Sequence, residues 1–128
     1  MTASPYRERI LDHYRNPRHR GHLPAPDLVG ERDNPLCGDR VRVELRLDAQ
    51  GRVAEATFTG DGCVISMAAA SMLVEYVHGR SVAEISRLKK GDVLKLLGVD
   101  PGPAREPCAV LVLEALREAL GSQRPGEK

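Results

Sequence analysis

The chain has 128 residues, of which 41% are hydrophobic and 29% charged, with a formal net charge of +1. This length and composition predict a single globular domain with a modest core. The near-neutral charge and an aromatic content of 3%, without Trp, argue against a nucleic-acid-binding surface. No apolar run is long enough to cross a membrane and no signal-peptide pattern begins the sequence. We therefore expect a cytoplasmic protein without nucleic-acid or membrane partners.

The first part of the chain is predicted to contain one helix and an edge strand. Residues 4–15 combine an N-cap at Ser4, a proline in the first turn and an apolar stripe, which is typical of an amphipathic helix. Residues 17–26 are basic and contain three prolines, so we expect an irregular connection there. Residues 28–29 are predicted to belong to a short edge strand.

The next segment predicts an antiparallel hairpin. Residues 41–47 alternate between hydrophobic and charged side chains, as expected for a strand with one buried face. Residues 48–51 form a predicted turn. Residues 52–59 form the return strand, and three residues are predicted to share one of its faces: Ala54, Ala56 and Phe58.

Helices dominate the second half of the sequence. They are predicted over residues 64–78, 89–97 and 108–120, and each is followed by a glycine that ends it. A short helical turn capped by Ser81 is predicted between the first two of these helices. The residues after Gly121 are polar.

The order of these elements predicts an α+β fold. Strands in the first half and helices in the second favour a small three-stranded antiparallel sheet packed against about four to five helices. We predict one domain over residues 1–121, followed by a polar C-terminal tail over residues 122–128.

Residues 33–39, Asp-Asn-Pro-Leu-Cys-Gly-Asp, hold the most chemistry in the shortest stretch. Cys37 and Asp39 stand two positions apart across Gly38, so in a loop both side chains can turn toward one point. A thiolate and a carboxylate that converge make half of a metal site.

The other two cysteines are predicted at helix starts. Cys63 follows the hairpin and Cys108 opens the last helix, where the helix dipole and unpaired N–H groups favour thiolate over thiol. Their wide spacing excludes a self-contained zinc finger, so the fold has to assemble the site. We predict that Cys37, Asp39, Cys63 and Cys108 form one metal site. The alternative is three unrelated structural cysteines.

Other polar residues are less informative. Arg105, three residues before Cys108, is either a cation that offsets the charge of a thiolate cluster or a solvated loop residue. We expect the four histidines not to be ligands. Asp61 lies between two glycines and is expected to be a turn residue.

The cysteine motifs carry a family resemblance. Residues 34–39, Gly62-Cys63 before a helix of small residues, and Cys108 at a helix start resemble the U-type iron–sulfur cluster assembly scaffolds, which include IscU, SufU and the N-terminal domain of NifU. Residues 6–18 are similar to that family too. The resemblance covers nearly the whole chain.

The resemblance implies a site and partners. Cys37, Asp39, Cys63 and Cys108 would be the ligands of zinc or of a transient [2Fe–2S] cluster. A cysteine desulfurase would deliver persulfide sulfur, and apo iron–sulfur proteins would accept the finished cluster. Among the cysteines, Cys37 is our predicted sulfur acceptor, because a loop flanked by glycine can move to meet a partner.

The chain departs from IscU before the third cysteine. Pro107 stands where IscU proteins have a His, and the preceding segment lacks the Leu-Pro-Pro-Val-Lys pattern that a dedicated chaperone binds. Both features are nearer to SufU, whereas the stretch between Cys63 and Cys108 is shorter than in SufU proteins.

Three functions follow as hypotheses. The first is a scaffold and sulfur acceptor in iron–sulfur cluster assembly, closer to a sulfur carrier than to a true enzyme. The second is a zinc-dependent sulfurtransferase of the SufU type. The third is a purely structural zinc-binding module, which is expected to unfold when its metal is removed.

Overall fold

The computed structural model describes residues 5–36 and 38–122. Within these ranges the chain forms an α+β fold with three strands and five helices, which confirms the predicted class. The elements in chain order are α1 (Pro5–Arg15), β1 (Leu28–Asn34), β2 (Asp39–Leu47), β3 (Val53–Asp61), α2 (Val64–Val77), α3 (Val82–Ile85), α4 (Lys90–Leu97) and α5 (Glu106–Ser122). No helix in the described part of the chain is long and apolar enough to cross a membrane.

The three strands form an antiparallel sheet in the order β1-β2-β3. The alternation of hydrophobic residues in β2 places Val41, Val43 and Leu45 on the buried face, where they meet the buried Phe58 of β3. Helices α5 and α2 pack on the sheet. The opposite face of the sheet is polar, because it bears the charged residues that alternate with this apolar row.

Helix α5 approaches the backbone of β1 closely. A side chain at Gly30 would overlap the carbonyl oxygen of Ala115 and the backbone nitrogen of Ala119. Glycine at this position therefore allows strand and helix to lie in direct backbone contact. This contact fixes the distance between the β1–β2 hairpin and α5.

The strands are longer than the sequence suggested. β1 runs to Asn34, so the predicted edge strand at residues 28–29 extends into the cysteine motif. β3 continues through Gly60 to Asp61, so Asp61 ends a strand instead of forming a turn. In the pairing of β2 with β3, Arg46 lies opposite Glu55 and Leu47 opposite Val53, so Ala54 has no partner in β2. Val53, and not Ala54, is therefore buried on the face of Phe58. The predicted shared face of Ala54 and Phe58 was wrong for this reason.

Most of the predicted helix ends agree with the structure. Ser81 caps α3, and Gly98 ends α4 with a left-handed backbone at φ 81°. The Ser4 cap and residues 123–128 of the predicted tail lie outside the described residues.

The last helix differs from its prediction at both ends. α5 begins at Glu106 and continues through Gly121, whereas residues 108–120 were predicted. Pro107 fits inside the first turn because N–H groups there have no partner within the helix. Cys108 is therefore the third residue of α5 and does not open it.

Candidate metal centre

Cys63 is the N-cap residue of α2. Its backbone is extended, with φ −75° and ψ 174°, and its sulfur accepts a hydrogen bond from the N–H of Ser66 at 3.5 Å. Burial raises the pKa of the Cys63 thiol, but hydrogen bonds from Ser66 and the N–H of Ile65 outweigh it and hold the pKa below the usual value. The helix start thus favours the thiolate form that metal binding requires.

Asp39 is the first residue of β2 and is only 3% exposed. It pairs with Asn34 across the hairpin, so the sheet, not a free loop, sets its direction. Its Oδ2 lies 3.8 Å from Sγ of Cys63. The prediction that Asp39 belongs to a loop was wrong, because Asp39 is the first residue of β2. The Asp39 carboxylate does lie close to a cysteine sulfur, that of Cys63.

Cys108 lies in the first turn of α5 and is 2% exposed. One ligand atom each from Asp39, Cys63 and Cys108 lie within 4.8 Å of one another. Two of these residues are buried and Cys63 is partly buried. The first turn of α5, the N-cap of α2 and the start of β2 therefore meet at one point.

The spacing of these three atoms fits a metal ion. In a tetrahedral zinc site with bonds of about 2.3 Å, neighbouring ligand atoms are about 3.8 Å apart. The distance from Cys63 Sγ to Asp39 Oδ2 is 3.8 Å, and two sulfurs with one carboxylate oxygen form a donor set suited to zinc or iron.

Cys37 falls outside the described residues, so its place at the site stays a prediction. The residues on either side of it are described. Leu36 is 96% exposed and Gly38 has a left-handed backbone at φ 74°. The N–H of Gly38 donates to the carbonyl of Asn34 at 2.8 Å, which brings the start of β2 back to the end of β1.

A mainly apolar groove of about 750 Å³ lies beside Cys63. Helix α1 forms one wall of the groove and the start of α2 forms another. Arg105 lines the same groove, which places a cation in the groove beside Cys63. Whether Arg105 offsets thiolate charge stays a prediction.

The histidines lie in other surroundings. His13 is 4% exposed, and its Nδ1 lies 2.8 Å from the hydroxyl of Ser71 in α2. Burial and the charge of Arg18 lower the pKa of His13 below its usual value. His22 contacts the buried carboxylate of Glu44 at 2.8 Å. The rings of the other two stack with centroids 6.2 Å apart: His19 and His78.

Two residues at the site were missed by the sequence reasoning. Gly62 was considered only as one of the two glycines beside Asp61 and as part of the Gly62-Cys63 family motif, and Ser66 was not considered. Ser66 stands three residues after the helix-capping Cys63, which is the spacing at which a helix-capping side chain and the third helical residue contact each other. That spacing was the available signal.

A family model described as NifU-like N terminal domain matches residues 5–125. The chain belongs to this family. The match covers all five helices and all three strands, and it confirms the resemblance that the cysteine motifs indicated.

Individual members of the NifU-like family agree with this assignment. The zinc-dependent sulfurtransferase SufU of Bacillus subtilis is 36% identical over 94% of this chain and 92% of its own length. The iron-sulfur cluster assembly scaffold protein IscU of Haemophilus influenzae is 30% identical over 93% of this chain and 95% of its own. The N-terminal NifU-like crystal structure from Brucella abortus superposes with a TM-score of 0.79 over 95% of this chain and 96% of its own. At 22% identity it supports the fold alone.

Proposed function

We propose that this protein is an iron–sulfur cluster assembly scaffold that accepts sulfur and holds a labile [2Fe–2S] cluster or zinc. The observation that carries the proposal is the meeting of Asp39, Cys63 and Cys108 within 4.8 Å on a fold of the NifU-like family. Cys37 is the proposed fourth ligand, because it lies two positions from Asp39 on the same hairpin.

Each proposed ligand has a distinct task. Cys63 and Cys108 supply soft sulfur ligands from two helix starts, where the backbone N–H groups favour thiolates. Asp39 supplies one hard oxygen ligand to an otherwise soft site, which favours release of bound iron. When bound, zinc would keep the thiolates deprotonated and in place.

Sulfur would arrive by thiol exchange at Cys37. The Cys37 thiolate attacks the outer sulfur of a donor persulfide, a new S–S bond forms, and the donor S–S bond breaks. The donor leaves as its thiolate, and the proton stays on the transferred sulfur. No further oxidant or reductant is needed for this step.

The family implies two classes of partner protein, and for one of them we propose an identity. A sulfur donor and iron–sulfur acceptor proteins are implied by relatives that act as a sulfurtransferase and as cluster scaffolds. We propose a cysteine desulfurase, itself dependent on pyridoxal phosphate, as the donor. A cytoplasmic location stays a prediction.

A zinc-dependent sulfurtransferase is the second candidate function. It is favoured by the 36% identity to SufU of Bacillus subtilis. Metal content after anaerobic purification and incubation with iron and sulfide separates the two candidates. A scaffold is expected to gain two iron ions and two sulfides per chain, which is the content of the proposed [2Fe–2S] cluster. A zinc carrier is expected to keep its zinc.

The sulfur-acceptor proposal has a direct test. The protein is incubated with a cysteine desulfurase and cysteine, and persulfide is located by mass spectrometry of peptides. We expect the extra sulfur on Cys37 and its loss in Cys37→Ser. Extra sulfur confined to Cys63 or Cys108 would show that the acceptor role of Cys37 is wrong.

A further inference from the structure

Gly62 lies against two side chains of the candidate metal centre. A Cβ at this position would stand 3.0 Å from Cγ and 3.1 Å from Oδ1 of Asp39, and it would overlap Oγ of Ser66. The Asp39 carboxylate and the Ser66 hydroxyl therefore lie on either side of the space that any larger residue would fill.

Ser66 holds Cys63 at two points. Its N–H donates to the sulfur at 3.5 Å, and its hydroxyl donates to the Cys63 carbonyl at 3.1 Å. The same carbonyl accepts the N–H of Met67 at 3.0 Å. Ser66 is fully buried, so water does not compete for these bonds.

We propose that Ser66 and Gly62 are positioning residues of the metal site. Through its hydroxyl, Ser66 fixes the backbone of Cys63, which carries the sulfur that lies near Asp39 and Cys108. Gly62 leaves the room in which the Asp39 carboxylate reaches that sulfur. The inference rests on the proposed function, since it assumes that these side chains bind a metal.

The first test compares two buried serines of the same helix. Ser66→Ala removes the hydroxyl that donates to the Cys63 carbonyl and keeps the N–H that donates to the sulfur. Ser71→Ala removes a hydroxyl that contacts His13 and the N–H of Arg18, away from the candidate ligands. Both serines are fully buried, but the Ser71 hydroxyl has two hydrogen-bond partners and the Ser66 hydroxyl has one. Ser71→Ala should therefore lose at least as much stability as Ser66→Ala. Only the first is expected to change metal binding.

Zinc affinity of the full chain is measured by competition with a chromophoric chelator. We expect Ser66→Ala to weaken zinc binding about 10- to 100-fold, as removal of groups that orient metal ligands does. Ser71→Ala should stay within about twofold of wild type, since distant sites act independently. Unchanged affinity in Ser66→Ala, or an equal loss in Ser71→Ala, overturns the positioning role.

The second test uses glycine positions. Gly62→Ala puts a methyl group against Asp39 and Ser66, whereas a methyl at Gly91 in α4 meets no atom within 4 Å. We expect Gly62→Ala to weaken zinc binding and Gly91→Ala to leave it unchanged. In Gly62→Ala/Ser66→Ala the combined loss should be smaller than the sum, because the hydroxyl that the methyl overlaps is gone. Equal zinc affinity in Gly62→Ala and Gly91→Ala overturns the inference.

These outcomes separate the inference from the function on which it rests. Wild-type protein that binds no zinc would overturn both. Wild-type protein that binds zinc as tightly as its Ser66 and Gly62 variants would overturn only the positioning role. Circular dichroism identifies an unfolded variant, and if Ser66→Ala is unfolded, the comparison of Gly62→Ala with Gly91→Ala decides.

Discussion

Asp39 is the proposed hard oxygen ligand beside soft sulfurs, and it is almost fully buried at the start of β2. Replacing it with Ala removes the exchangeable ligand and one negative charge. We expect an assembled cluster to leave Asp39→Ala more slowly than wild type in transfer to an apo-acceptor. Asp61→Ala is the control, because it removes an exposed carboxylate from the nearby end of β3. Equal or faster transfer from Asp39→Ala would reject the idea that this carboxylate sets cluster lability.

Glu44 is a second buried carboxylate, on the polar face of the sheet and away from the site. Burial raises its pKa, but hydrogen bonds from Arg42, His22 and the N–H of Leu23 outweigh burial and lower the pKa to about 2. Since the folded-state pKa of Glu44 lies below its usual value of 4.5, the stabilisation is complete above that pH. It is lost as the pH falls from 4.5 toward 2, by roughly 3 kcal/mol in total.

The variant Glu44→Gln tests this assignment through acid unfolding. Urea unfolding of wild type should show stability that falls steeply between pH 4.5 and 2, and the slope should be shallower in Glu44→Gln. Glu55→Gln is the control, since Glu55 makes an exposed ion pair with Arg46 on the same sheet, which is worth less than about 1 kcal/mol. A wild-type slope in Glu44→Gln would show that another group controls acid stability.

Three elements, β2, α2 and α5, bring the proposed ligands Asp39, Cys63 and Cys108 together. The contact of β1 with α5 connects two of these elements, because β1 pairs with β2. Asp39 is the first residue of β2, and Cys108 lies in the first turn of α5. Gly30 sets the distance between them, because a side chain there would overlap the backbone of α5. A change at Gly30 is therefore expected to act on both stability and the site.

Gly30→Ala is predicted to lower stability by about 1–3 kcal/mol, because overpacking forces the strand and the helix apart. Zinc affinity should fall as well, since the hairpin and Cys108 separate. Gly91→Ala, whose methyl meets no neighbour, should not lower stability and should raise it by up to about 1 kcal/mol, because alanine favours the helix over glycine. Urea unfolding and chelator competition measure both effects. Unaltered stability in Gly30→Ala would contradict the close contact of β1 and α5.

At the scale of the whole molecule, local sequence signals predicted the elements better than their ends. Alternation in residues 41–47 was enough to place the hairpin, and Gly79 and Gly98 placed the ends of α2 and α4, whereas α5 continues through Gly121. The charged end of β1 gave no apolar alternation, so its extension to Asn34 was missed. Pro107 is compatible with both the last loop position and the first helical turn, so the start of α5 was misplaced.

The candidate site was predictable from its chemistry and less so from its geometry. Cysteines at junctions and a carboxylate beside one of them led to the four proposed ligands, and the structure brings three of them together: Asp39, Cys63 and Cys108. Their convergence depends on how β2, α2 and α5 pack, and the spacing of the residues along the sequence does not show how these elements pack. Ser66 and Gly62 were missed because their roles come from contacts between elements.

The central claim is that Cys37, Asp39, Cys63 and Cys108 bind one metal. X-ray absorption at the zinc edge of the zinc-loaded full chain measures the ligands and their distances. We expect three sulfurs at about 2.3 Å and one oxygen at about 2.0–2.2 Å. A shell of two sulfurs, or one dominated by nitrogen and oxygen, would contradict it.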